Sequence, residues 1–245
     1  MASFSKWLGA GLGWAFGGPI GALLGYVLGN FVGEGSGIDF LEYKNQKSTG
    51  TTTSGDFEVS LLILAAVVIK ADGKVDPREL KFVRSRFLEM YGKARADSAF
   101  KLFKGIVGNN NFSTQQICMQ INSSMNHASR LQLLHFLFGV AKADGIVTEE
   151  ELHKIKTISR YLNIRVYDFD SIKAMFYNDV DSAYKILEID KSSSNTDVKK
   201  AYRKMVKKYH PDKLQNLGSE HIQGAKDKFL QVQKAYEQIQ EERDM

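Results

Sequence analysis

The sequence predicts an all-α protein in three parts: an N-terminal glycine-zipper membrane helix, a duplicated helical bundle and a C-terminal helical hairpin. Three observations carry this. Of 21 glycines, 11 fall within the first 37 residues, so the chain is composite rather than one uniform globule. A twenty-residue block recurs at an offset of 72 residues with ten identities. The last quarter carries two apolar stripes at helical spacing, one of them backed by lysines. Over the 245 residues, 43% are apolar and 25% charged, ordinary values for packed domains. The single cysteine, Cys118, excludes an internal disulfide framework and any zinc site of paired cysteines. A formal net charge of +5 is too small on so long a chain to imply nucleic-acid binding.

Residues 1–33 read as the anchor. From Trp7 to Gly33 no residue is charged, a run of 27, and about 20 suffice to cross a bilayer core. Gly9, Gly13, Gly17, Gly21, Gly25, Gly29 and Gly33 recur every four residues, which on a helix makes a groove for close backbone approach. The spacing predicts a homodimer through this helix, with Leu23, Leu24 and Val27 among the residues facing lipid. Gly17-Gly18-Pro19 stands midway and can break the helix, and the alternative to a membrane segment is a buried or oligomer-forming hairpin. Flanking charge gives no orientation: Lys6 on one side meets a mixture of Glu34, Asp39, Glu42, Lys44 and Lys47 on the other. Residues 34–56, which include STGTTTSG, read as a linker.

Residues 57–180 form the duplicated region. LLILAAVVIKADGKVDPREL begins at Leu61 and LLHFLFGVAKADGIVTEEEL at Leu133. Each copy reads as an apolar helix, a tight KADG turn, an inward valine (Val75, Val147) and a second helix. Gly73 and Gly145 suit a left-handed helix end. Asp76, Pro77 and Glu79 supply an N-cap, a first-turn proline and a capping-box acid, and Thr148 and Glu151 repeat the cap and the acid. Gly73, Val75 and Glu79 also fit three positions of an EF-hand loop, but Val68 and Lys70 would then stand at the first and third ligand positions, where neither binds a hard cation. Capping is the better account and predicts no metal site. Asp72 and Asp144 remain the candidates if the two turns meet around an ion. His127 and His135 read as partly buried or solvent-facing. These repeats resemble the TerB family, which implies an all-helical domain and little about activity.

Residues 181–245 form the last part. Ala183 to Leu187 reads as a short helix. Val198, Ala201, Tyr202, Met205, Val206 and Tyr209 make one apolar stripe, with Lys199, Lys200, Arg203, Lys204, Lys207 and Lys208 opposite and Asn195 or Thr196 as the N-cap. A second stripe is Ala225, Phe229, Val232, Tyr236 and Ile239. Proline disfavours a helical residue before it, so the basic helix stops at His210, exposing an imidazole and the Asp212 carboxylate on a loop.

DVKKAYRKMVKKYHPDK followed by FLQVQKAYE closely resembles a J domain. The resemblance implies docking on a DnaK-type heat-shock chaperone and stimulation of its ATPase, with His210, Pro211 and Asp212 as the trigger. Lys199, Tyr202, Arg203, Lys204 and Lys207 would form the docking face, and Phe229 would pack or make contact nearby. The loop from Lys213 to Gly224 is longer than in most J domains, and the QEERDM end is acidic. The chain has no phosphate-cradling glycine loop and no Ser/His/Asp or Cys/His constellation, which predicts a non-enzyme without a cofactor. The order anchor, TerB-like domain and terminal J domain resembles the DjlA-type family of membrane-anchored co-chaperones of Gram-negative bacteria. That resemblance implies an inner-membrane anchor with both globular domains cytoplasmic. The rival reading makes the TerB-like domain an ion- or stress-sensing module with an accessory J domain.

Overall fold

Two of the described helices are buried along most of their surface. The computed structural model describes residues 18–27, 54–108, 112–177, 181–210 and 219–245, and every regular element among them is an α-helix. The enclosed pair are α2 (Ser54–Ile69), in which every residue from Leu61 to Ile69 is buried, and α6 (His127–Ala141). They pack on each other as the equivalent first helices of the two repeats. Around them stand α3 (Pro77–Tyr91), α4 (Lys93–Val107), α5 (Thr114–Ser124), α7 (Glu149–Tyr161) and α8 (Val166–Ala174). The duplication therefore extends to a third helix, α4 in one copy and α8 in the other, with α5 between the copies.

The KADG turns form as the sequence predicts. Gly73 and Gly145 have φ of +80° and +101°, and nothing lies within 4 Å of where a Cβ would stand. The glycines are thus required by conformation, not by space. Asp76 and Thr148 close capping boxes with Glu79 and Glu151. Asp72 and Asp144 each accept a backbone N–H two residues on, at 2.9 Å, so these acids staple their own turns. Among the described residues no three His, Cys, Asp or Glu side chains are placed to hold a metal. One expectation fails: Val75 is 43% exposed, whereas Val147 packs against the core. The first turn is not covered where the second is.

The C-terminal hairpin comprises α9 (Ser182–Ile186), α10 (Asn195–Tyr209) and α11 (Ser219–Arg243). Helices α10 and α11 run antiparallel. Tyr202 stacks on Tyr236 with 4.1 Å between ring centroids, and at the far end Arg243 donates to Asn195, to the Ser193 and Lys191 carbonyls and to the Tyr184 hydroxyl. The N-cap is Ser194 rather than Asn195 or Thr196. Its extended backbone lets Oγ accept the Asp197 N–H at 3.1 Å.

Helix α1 (18–27) is the described part of the anchor segment. At 1.5 Å per residue it is about 15 Å long, half a bilayer core. Among the described residues no helix is long and apolar enough to cross a membrane. Gly18, with φ of +59°, opens the described helix, and Pro19 follows it. Leu23, Leu24 and Val27, expected to face lipid, are buried in the bundle's apolar cluster. The Ile20 N–H donates to Gln120 on α5 at 3.0 Å. The bundle supplies the apolar surface that covers these residues. Gly21 and Gly25 lie on α1; Gly9, Gly13, Gly17, Gly29 and Gly33 lie outside the described residues.

Between the repeats, the Glu79 carboxyl faces that of Glu151, and the closeness of two acids favours a proton on one of them. Burial first, then the neighbouring Glu151, push Glu79 up to about 8. The folded chain thus holds a proton that the unfolded chain, with its ordinary value of 4.5, has released. This stabilisation is complete below the ordinary value and is lost as pH rises through about 8. Thermal and denaturant melts between pH 7 and pH 9 should show the wild type losing on the order of 1 kcal/mol. Glu79→Gln, which can donate to Glu151 without titrating, should lose less, and parallel losses in both proteins would exclude the shared proton.

Candidate functional site

Helix α10 carries lysine or arginine at six of its fifteen positions, and the fold sorts them into two rows. Residues four apart share a helix face. Lys199, Arg203 and Lys207 form one row, exposed and making no ion pair among the described residues. Lys200, Lys204 and Lys208 form the next. Lys200 is exposed, Lys204 pairs with Glu188 at 3.0 Å, and Lys208 donates to both Glu188 and Asp168. Lys204, placed on the docking face by sequence alone, is therefore already partnered, although its side chain stays largely exposed. The inward stripe is Val198, Ala201, Met205 and Tyr209, all buried.

Tyr202, Val206 and His210 flank the exposed row half-buried, and with Arg203 and Lys207 they line a shallow surface depression. Helix α10 ends at Tyr209. His210 takes φ −62° and ψ 130°, the extended conformation that a following proline requires. Its ring meets Phe229 edge-on at 6.1 Å, so the imidazole is half-buried rather than exposed as expected. Pro211 and Asp212 lie outside the described residues. The structure thus brings Lys199, Tyr202, Arg203, Lys207, His210 and Phe229 to one side of the hairpin.

The acid that receives Lys208 belongs to the bundle. Asp168, in the first turn of α8, is fully buried. Its Oδ2 accepts from His127 Nε2 at 3.1 Å and from Arg165 Nε at 3.0 Å, and its Oδ1 accepts from Lys208. Burial alone would raise its pKa, but the hydrogen bonds from His127, Lys208 and Arg165 outweigh this and hold the carboxyl well below the usual carboxylate range. Stability from this cluster is therefore present above the ordinary value of 3.8 and is lost only in strong acid. Glu188 supports it from a left-handed backbone, φ +59°, just past α9. Nearby, Lys228 on α11 is fully buried over the Tyr209 ring, and its amine makes no hydrogen bond among the described residues. Burial, then the charge of Lys208, push its pKa well down. His135 meets the Phe176 ring at a 55° tilt with 4.9 Å between centroids, and burial, then the Lys228 and Arg86 charges, push its pKa down likewise.

Sequence reasoning misses Asp168, Glu188 and Lys228 altogether, and it treats Lys208 as one more solvated cation. The only signal for any of them is the four-residue spacing of Lys204 and Lys208; Asp168 stands 40 residues from its lysine.

Three family models match the chain: tellurite resistance protein TerB over residues 58–174, the DnaJ domain over 182–244, and the co-chaperone DjlA transmembrane domain over 1–38. The chain is similar to the co-chaperone protein DjlA of Legionella pneumophila, 28% identical over 96% of this chain and 94% of that one. The DjlA of Coxiella burnetii is 25% identical over the full length of both. The chaperone protein DnaJ of Fusobacterium nucleatum is 48% identical over 54 residues, covering 22% of this chain and 14% of that one. No solved structure matches.

The two rows differ in what their loss should do to folding. A chain with Lys199, Arg203 and Lys207 all changed to Ala should keep its stability within about 0.5 kcal/mol per site, as exposed positions do. Lys208→Ala should cost toward the lower end of the roughly 3–5 kcal/mol that unpairing a buried charge costs, because Arg165 and His127 remain on Asp168. Denaturant melts of the two variants compare them directly, and equal losses would contradict the division.

Proposed function

The chain belongs to the DjlA-type family of membrane-anchored co-chaperones, and on that footing we propose that it stimulates the ATPase of a DnaK-type heat-shock chaperone through its HPD loop and basic helix. The observation that carries this reading is the exposed row Lys199, Arg203 and Lys207, without an ion-pair partner among the described residues and ending beside His210, where the helix is stopped by its proline. Such a row attracts an acidic partner surface over long range, and the shaped contacts at Tyr202, His210 and Phe229 then fix its register. Pro211 and Asp212 complete the trigger. The protein acts as a regulator of another protein's ATPase and needs no cofactor of its own.

The anchor of residues 1–33 holds the chain at the bacterial inner membrane, with the TerB-like and J domains on the cytoplasmic side, where ATP and the DnaK-type partner reside. The four-residue glycine row lets two copies associate through that segment.

Added to the DnaK-type chaperone of its own cell, the full chain in detergent should raise the rate of single-turnover ATP hydrolysis, and the stimulation should fall with added salt. His210→Gln should abolish it. Equal stimulation by the wild type and the variant would remove the reading.

A further inference from the structure

The TerB-like bundle and the J-domain hairpin meet through polar contacts that a mere tether would not need. Ser171 on α8 donates to the Ile186 carbonyl of α9 at 2.9 Å, buried. Arg86 on α3 pairs with Asp227 on α11 at 3.2 Å, and α11 packs along α6. Deepest of all, Asp168 receives Lys208 from the last turn of α10, one residue from where the helix ends and two from His210.

An apolar interface alone tolerates sliding and rotation. A buried carboxylate does not, because any pose that withdraws a donor leaves desolvated charge behind. Such clusters contribute little net stability, and their best-attested role is to select one arrangement among many. Helix geometry then decides what that arrangement presents. Lys204 and Lys208 lie on one row, Lys199, Arg203 and Lys207 on the neighbouring row, and successive residues are about 100° apart around the axis. Clamping the first row against Glu188 and Asp168 turns the second outward.

We propose that Asp168 of the TerB-like domain is a positioning residue for the J domain: by holding Lys208 it locks hairpin and bundle into one unit, with the Lys199–Arg203–Lys207 row and His210 directed away from the bundle toward the partner. This gives the TerB-like domain a role as a rigid mount, and it rests on the co-chaperone reading above.

The test uses the full chain in detergent with Cys118→Ser and spin labels on engineered cysteines at exposed positions. One pair, at positions 101 and 237, spans bundle and hairpin; another, at 101 and 150, lies within the bundle. The wild type should give one narrow distance for each pair. Lys208→Met and Asp168→Asn should broaden the spanning distance and leave the bundle distance unchanged, while Lys208→Arg, which keeps the charge, should restore the narrow spanning distance. The Lys208→Met chain should also need several-fold more protein for half-maximal ATPase stimulation. A broad spanning distance in the wild type, a wild-type distance in Lys208→Met, or equal broadening in Lys208→Arg overturns the proposal. If Asp168→Asn disrupts the bundle distance, the Lys208 pair of variants decides alone. His210→Gln should keep the narrow distance, so loss of the co-chaperone reading and loss of the mount are read on separate signals.

Discussion

Helices α2 and α6 bury most of their surface, and the rest of the molecule is arranged by the need to enclose them. Burying a leucine or isoleucine is worth about 2 kcal/mol, and each of these helices buries a run of such residues. Their surroundings are supplied by amphipathic helices of the same chain, first by the duplicated α3 and α7, then by α4, α5 and α8. The hairpin joins the same enclosure, because α11 lies along α6 and reaches α3. Segment α1 does so too, seating Leu23, Leu24 and Val27 in the apolar cluster. Tertiary burial, not intrinsic propensity, accounts for a first helix that ends with no basic residue in its last turn.

Charge has a different task here. Two buried groups illustrate it from opposite sides. Asp168 is buried and ionised because three donors converge on it, and they come from three separate elements: the α6 N-terminus, the α8 N-cap and α10. Lys228 is buried with no hydrogen bond to its amine among the described residues; the amine lies over the Tyr209 ring, and burial pushes its pKa well down. Asp168 and Glu188 receive Lys208 instead.

Local chemistry is legible in the sequence, and relations between distant residues are not. The capping boxes, the left-handed glycines, the stop at His210 and both hairpin stripes follow from rules that act within four residues, and the structure has them all. The errors have the same origin. Asn195 and Thr196 are as good cap residues as Ser194, and only the backbone angle selects among the three. Val75 reads as inward because its counterpart Val147 does, and a repeat copies sequence without copying neighbours. Lys204 and Lys208 look like any solvated lysines of a basic helix. Nothing local distinguishes them from Lys199 and Lys207 on the exposed row, because the distinction lies in Glu188 and Asp168, contributed from outside α10.

The two copies differ at the place where the hairpin's buried lysine docks. The third helices, α4 and α8, start at Lys93 and Val166, one residue beyond the strict offset of 72. Aligned by their starts, Ala96 matches Phe169 and Ala99 matches Ile172, all buried, and Arg95 matches Asp168. Each copy bonds this position to its first helix: Arg95 to the buried Glu58 of α2 at 2.8 Å, and Asp168 to His127 of α6 at 3.1 Å. The partners on the first helices are not equivalent: at the offset of 72, Glu58 matches Arg130 and His127 matches Gly55. In the first copy the buried acid sits on the enclosed helix, where the Arg95 guanidinium reaches it. In the second it sits on the outer helix, where its remaining oxygen faces α10 and accepts from Lys208. Divergence at one outer-helix position, arginine in the first copy and aspartate in the second, thus places the carboxylate that receives Lys208 on the second copy.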